Sequence, residues 1–266
     1  MKKRSLLFTI PLIFFISCSD DATRQLSPEE LFEKAVGFYK AEEYTDAIRE
    51  FKNLSYLAAG GEFDDQSKFY LAMCYYKLEQ YLNAADQFDI MIRTTPGSEL
   101  VPDASYYKAV CYYKMSPRPA LDQTYALQSI SDFQTFIDYY PKHANVRDAV
   151  EKIGELRLKL AEKEYMNAKT YMKMEYYKSA TVYFQYVMDR YYDSPFAEQA
   201  ALGKCEALLE RRRWDEFNQE VERFRTRYPE SANLATLDTF LKRAEELKAK
   251  EAEEAREAAE AAAKDQ

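Results

Sequence analysis

The sequence predicts an all-α fold, an α-solenoid of about five helix pairs. Composition is the first observation: 266 residues contain only 6 Gly, against 23 Tyr and 16 Phe, and 31% are charged. Few glycines with many Ala, Leu, Glu and Lys favour helices throughout. A repeated stretch is the second. Phe69-Tyr70-Leu71-Ala72-Met73-Cys74-Tyr75-Tyr76-Lys77 returns 37 residues upstream from Phe32 to Lys40 and 37 downstream from Tyr106 to Lys114. All three share aromatic-x-x-Ala-x-x-aromatic-Tyr-Lys, and self-similarity at a fixed period in the thirties marks a helical array. Helical punctuation is the third: Ser27-Pro28-Glu29-Glu30 offers an N-cap, a proline at the first helical position and a glutamate three residues on.

Residues 1–17 read as a signal segment. Lys2, Lys3 and Arg4 precede a run from Leu6 to Ile16 that is too short for a permanent bilayer span. Phe15-Ile16-Ser17-Cys18 resembles a bacterial lipobox, with Phe15 in place of the usual Leu. The expectation is cleavage before Cys18 and acylation of its thiol and amine, leaving 18–26 as a tether. Each buried acyl methylene contributes about 0.8 kcal/mol to such an anchor. Removing Lys2, Lys3 and Arg4 takes the net charge from −8 to −11, which argues against nucleic acid as a partner. Ser19 favours the outer membrane, while Asp20 and Asp21 resemble a surface-export signal of some Bacteroidetes-like lipoproteins.

Numbering a 34-residue tetratricopeptide unit from Pro28 puts Ala35 at position 8, Phe38 at 11, Tyr44 at 17, Ala47 at 20 and Phe51 at 24. Units from Asp65, Pro102, Ala161 and Glu198 repeat the pattern, with terminal prolines at Pro96, Pro141 and Pro229. Small residues at 8 and 20 let paired helices approach, and aromatics at 11, 17 and 24 fill the space between units. The third unit carries an insert around Ser116-Pro117-Arg118-Pro119, and Ala59-Gly60-Gly61 replaces the first terminal proline and predicts a loosened turn. Val146, Val150, Ile153, Leu156 and Leu160 predict one long helix that closes unit three and enters unit four. The chain thus divides into 27–144 with repeats one to three, 145–244 with the long helix and repeats four and five, and 245–266, a charged Ala/Glu-rich tail. Beyond Leu247 no large apolar residue follows, as in a solvated helix or a frayed end.

Nothing in the sequence points to an enzyme. There is no nucleophile elbow, phosphate loop or clustered metal-ligand set, and no cofactor is implied. The single histidine, His143, reads as a solvated loop residue, and Cys74, Cys111 and Cys205 occupy small-residue packing positions as buried thiols.

The first helices carry the informative face. Position 5 holds Phe32, Phe69 and Tyr106; position 12 holds Tyr39, Tyr76 and Tyr113; position 13 holds Lys40, Lys77 and Lys114. Such a row either packs against neighbouring helices with the lysines on a solvated rim, or forms a groove for an extended peptide. In the second reading the rings grip apolar side chains and the lysines hold a carboxylate.

Cys18, the opening from Leu26 to Ala35, the five repeats and the joint from Leu156 to Glu164 together resemble the BamD family, the D-type lipoproteins of the outer-membrane β-barrel assembly machinery. The resemblance covers about residues 18–240 and leaves the tail outside the usual pattern. It implies a scaffold at the outer membrane that faces the periplasm, whose C-terminal repeats dock on the periplasmic domains of the β-barrel insertase, among other machinery subunits. Its N-terminal groove would receive the C-terminal signal of unfolded outer membrane proteins. A different cell-envelope adaptor on the same repeats, or a surface glycan-binding lipoprotein, are the alternatives.

Overall fold

The computed structural model describes residues 26–264. The signal segment, Cys18 and the tether up to Gln25 lie outside the described residues. Eleven helices and no strand are found among the described residues: α1 (Pro28–Lys40), α2 (Tyr44–Leu57), α3 (Asp64–Lys77), α4 (Tyr81–Thr94), α5 (Val101–Met115), α6 (Thr124–Tyr139), α7 (Val146–Lys173), α8 (Tyr177–Arg190), α9 (Pro195–Glu210), α10 (Trp214–Arg227) and α11 (Leu234–Lys264). The fold is an all-α solenoid of five helix pairs closed by α11.

Local chemistry accounts for the boundaries. Ser27 and Glu30 form a reciprocal capping box at the start of α1: the Glu30 N–H donates to Ser27 Oγ at 3.2 Å and the Ser27 N–H donates to Glu30 Oε2 at 2.9 Å. The turn inside a unit is made the same way four times. Glu42, Glu79, Glu175 and Arg212, all at unit position 15, adopt the left-handed conformation with φ between 55° and 62°. None of them is glycine, so each turn carries local backbone strain that the flanking helix packing holds in place. Unit three has no such turn. Its insert is tied down instead: the Gln123 amide donates to the carbonyls of Arg118 at 2.9 Å and Leu121 at 3.1 Å. Two lysines one turn apart on α7 complete the attachment, with Lys159 Nζ 2.9 Å from Ser116 Oγ and Lys163 Nζ 2.6 Å from the Leu121 carbonyl.

Position 24 forms the spine of the core. Phe51, Phe88, Phe133 (shifted by the insert) and Phe184 are fully buried there, and in unit five Val221 takes the place, buried beside Phe224. First helices touch at three of the four unit boundaries, α1 with α3, α5 with α7 and α7 with α9, and α9 also touches α11, whereas neighbouring second helices make no comparable contact. The stack therefore bends towards its first helices, and their row lines the inside of the curve. At the far end α11 lays Leu237, Phe240, Leu241, Ala244 and Leu247 against the last pair, covering an apolar face that would otherwise meet water. From Ala252 to Ala263 it is exposed and helical. Just before that stretch it is still attached: Glu251 pairs with Arg212 and accepts the Trp214 indole N–H at 3.2 Å, and Lys248 Nζ lies 5.3 Å from the Trp214 ring.

His143 departs from the expected solvated loop residue. It is half-buried, packs edge-on against Phe136 at 5.3 Å, and its Nδ1 accepts the Asn145 N–H. Cys74, Cys111 and Cys205 are free and buried.

Candidate peptide-binding face

The nine predicted face residues all lie on α1, α3 and α5. Their rings do more than line a surface. Tyr70, at position 6 of unit two, stacks on Phe51 at 5.7 Å and is met edge-on by Phe32 at 6.2 Å, Tyr39 at 5.1 Å and Phe69 at 6.2 Å. One unit on, Tyr107 stacks on Phe88 at 5.9 Å and is met by Phe69 at 6.4 Å, Tyr76 at 5.5 Å and Tyr106 at 5.3 Å. Each cage joins two units, with the edge-to-face geometry that aromatic quadrupoles favour. The face read from the sequence does not include Tyr70 or Tyr107. A tyrosine directly after the position-5 aromatic in both units is the signal that could have found them.

The three rungs are not equivalent. In the first two, Phe32, Tyr39, Phe69 and Tyr76 are half-buried, and the Tyr39 and Tyr76 hydroxyls have no hydrogen bond among the described residues. Burial pushes the Tyr39 phenol up to about 12 and raises that of Tyr76 as well, so both stay protonated donors at neutral pH. In the third rung Tyr106 is 9% exposed and donates its hydroxyl to Asp148, while Tyr113 donates to Glu155. Lys152 adds a bond to Asp148 at 2.7 Å and sits 5.3 Å from the Tyr113 ring. This rung is closed by α7.

Lys40 and Lys77 end their helices, and Lys114 stands one residue before the end of its own. All three are exposed, and none has an ion pair or hydrogen bond among the described residues. A lysine in a last turn complements the helix dipole. That interaction leaves its three N–H donors free for a ligand.

One cleft adjoins the face and another lies in the C-terminal repeats. The first, of about 450 Å³, reaches Phe69 and Tyr70 and carries Asp65 and Glu99 on its wall. The second, of about 480 Å³, lies between α8 and α10, with Met188, Ala201, Phe224 and Tyr228 among its lining and Arg223 and Arg227 at its side. Among the described residues no group of His, Cys, Asp or Glu is arranged to hold a metal ion, and no helix is long and apolar enough to cross a membrane.

A family profile described as "YfiO: Outer membrane lipoprotein" matches residues 24–207. The chain belongs to the YfiO family of outer membrane lipoproteins. This is the BamD family that the sequence resembles. The YfiO match ends at Ala207 within α9, so α10 and α11 lie beyond it. No curated protein matches the chain. Among solved structures it is similar to the tetratricopeptide domain of P58(IPK), at 14% identity and a TM-score of 0.42, covering 82% of this chain and 57% of that one. It is also similar to a tetratricopeptide protein of Bacteroides fragilis, at 16% identity and a TM-score of 0.38, covering 83% and 88%. The yeast Sti1 TPR2AB domain in its pHSP90 complex matches at 13% identity and a TM-score of 0.40, covering 82% and 98%. The match spans little more than half the length of the P58(IPK) chain.

Proposed function

We propose that this chain is a lipid-anchored scaffold of the outer-membrane β-barrel assembly machinery. It holds the insertase through its C-terminal repeats and receives the C-terminal signal of unfolded outer membrane proteins on its N-terminal first helices. Membership of the YfiO family supports the location. The observation that carries the peptide reading is the pairing, in units one and two, of half-buried rings with free lysines: Tyr39 beside Lys40 and Tyr76 beside Lys77. Such a pair offers an apolar ring edge to an aromatic side chain and an ammonium to a carboxylate, in an otherwise acidic protein. The acidic wall of the Phe69 cleft repels a carboxylate, which favours placing the peptide terminus at the lysine ends of α1 and α3.

For the C-terminal half, the cleft between α8 and α10 supports a docking role, because an apolar floor rimmed by charges of both signs, Arg223 and Arg227 with Asp189 and Glu222, suits an anchored partner segment. The chain is no enzyme in this account; its work is to hold two proteins side by side at the membrane. Affinity purification of the full-length lipoprotein from detergent-solubilised envelope tests the assignment. Recovery of a large β-barrel protein in stoichiometric amount is expected. Recovery of cell-wall or division proteins without a barrel would contradict it.

A further inference from the structure

The corner of the solenoid where the chain enters carries apolar side chains that no packing explains. Helices α1 and α2 are antiparallel, so the start of α1 and the end of α2 share one end of the first hairpin. The turn beyond α2 closes there, with Phe63 stacked on Phe32 at 4.9 Å and Gly60 in the left-handed region at φ 74°. Outside this closure Tyr56 is 87% exposed, Leu57 47% and Leu26 37%, and Ala59, Gly60 and Gly61 are exposed between them. Tyr56 has no ring contact or hydrogen bond among the described residues. Glu29 and Glu62 stand exposed beside the group, and Glu30 is held in the cap of α1.

We propose that the Leu26, Tyr56 and Leu57 corner rests in the lipid–water interface of the membrane that holds the acyl chains of Cys18. The inference relies on the lipid-anchored reading above. Cys18 precedes Leu26 by eight residues, and a chain of that length spans at most roughly 27 Å, so this corner stays within that reach of the anchor. Tyrosine suits such a boundary, since its ring is apolar and its hydroxyl stays wet. Leucine enters the acyl edge, and the side-chain-poor Ala59-Gly60-Gly61 stretch lets the two approach it. Glu29 and Glu62 flank it, and the one lysine a turn away on α2, Lys52, has its Nζ over the Tyr75 ring at 5.5 Å, so the corner is held by apolar burial and not by headgroup charge, and zwitterionic lipid suits it. It gives the scaffold a second, weak membrane contact and so a fixed tilt.

Full-length acylated protein with Tyr56→Trp, or Leu57→Trp as a second reporter, is reconstituted in phosphatidylethanolamine-rich vesicles with brominated acyl chains. Tyr176→Trp, in the exposed turn between α7 and α8 at the other edge, is the control, and the parent chain supplies the Trp214 background. Quenching at position 56 or 57 should exceed that at 176 by about twofold or more, with a blue-shifted emission. Equal quenching in a chain whose Cys18 is acylated by mass spectrometry overturns the inference alone. An unacylated Cys18 overturns the anchor and the inference together. Protection of the reporter at position 56 only after the β-barrel insertase is added gives the corner to a protein and overturns it too.

Discussion

The Tyr106 hydroxyl donates to Asp148, and seven residues further along both helices Tyr113 donates to Glu155. The matched spacing places two tyrosines of α5 against two carboxylates of α7 along a single seam. The third copy of the aromatic face thereby joins the N-terminal repeats to the long helix. Units one and two keep the copies whose hydroxyls and ammonium groups have no partner among the described residues.

Acid should loosen this seam. Burial alone would raise the Asp148 carboxyl, but the Lys152 ammonium and the Tyr106 hydroxyl outweigh it and hold the group below its usual range. Asp89 is likewise lowered against its burial by Lys108 and Arg93. A carboxyl depressed in the folded state stabilises above its unfolded value, about 4, and that contribution fades as the pH falls through the folded value. Urea titrations should show stability dropping below about pH 4 in the wild type, and dropping less in Asp148→Asn. At pH 7 Tyr106→Phe should cost about 2 kcal/mol, because a buried hydroxyl bonded to a charge is lost.

Two helical glycines should respond in opposite directions. Gly203 stands at position 6 of unit five, where Tyr70 and Tyr107 stand in earlier units, and a Cβ there would lie 2.5 Å from the Phe184 ring. Gly203→Ala should therefore destabilise by about 1–3 kcal/mol through overpacking. Gly154, within α7, has nothing within 4 Å of an added Cβ. Gly154→Ala should stabilise by about 0.5–1 kcal/mol through helix propensity. Chemical denaturation of both variants reads the two signs.

The buried pair Lys204–Glu220 should be hard to break one side at a time and easier to replace whole. Lys204 Nζ lies 2.6 Å from Glu220 and 2.5 Å from Gln185 Oε1, with side-chain exposures of 10% for the lysine and 3% for the glutamate. Lys204→Met leaves Glu220 only the 3.3 Å contact with Arg223, and a loss of about 3–5 kcal/mol is expected. The double variant Lys204→Met/Glu220→Leu should recover a large part of it. A double-mutant cycle by urea unfolding makes the comparison.

The three internal thiols should be silent in the native protein. Burial raises Cys74, Cys111 and Cys205 to about 12, which leaves almost no thiolate at pH 8. Thiol titration with a disulfide reagent should give no rapid reaction from these three until denaturant is added.

The repeating alanines and aromatics make the helix pairs legible in the sequence, because small and ring positions recur at a fixed distance. The Ser27 cap is equally local, and the capping box forms as the spacing suggests. What the sequence hides depends on contacts between distant residues. The Tyr106–Asp148 bond spans 42 positions and leaves no mark on either helix's apolar pattern. Attachment of α11 past Leu247 is made by Glu251 and Lys248 at the Trp214 indole, polar groups that hydrophobic periodicity passes over. His143 reads as solvated because its turn is polar, but the Phe136 ring beneath it is invisible from one segment. The aromatic residues lie on the helices the repeat numbering gives them, yet the cages around Tyr70 and Tyr107 show that the same rings also hold the units together.

The most direct test of the account is a titration of the full-length protein with a labelled peptide ending in an aromatic residue and a free α-carboxylate. Lys77→Ala and Lys40→Ala should each weaken binding by about tenfold, which corresponds to one charge-assisted hydrogen bond of about 1.4 kcal/mol. Amidating the peptide terminus should weaken the wild type by the same factor, and Lys114→Ala, at the rung closed by α7, should change little. Equal affinities for the wild type, Lys77→Ala and Lys40→Ala, or no loss on amidation, would contradict it.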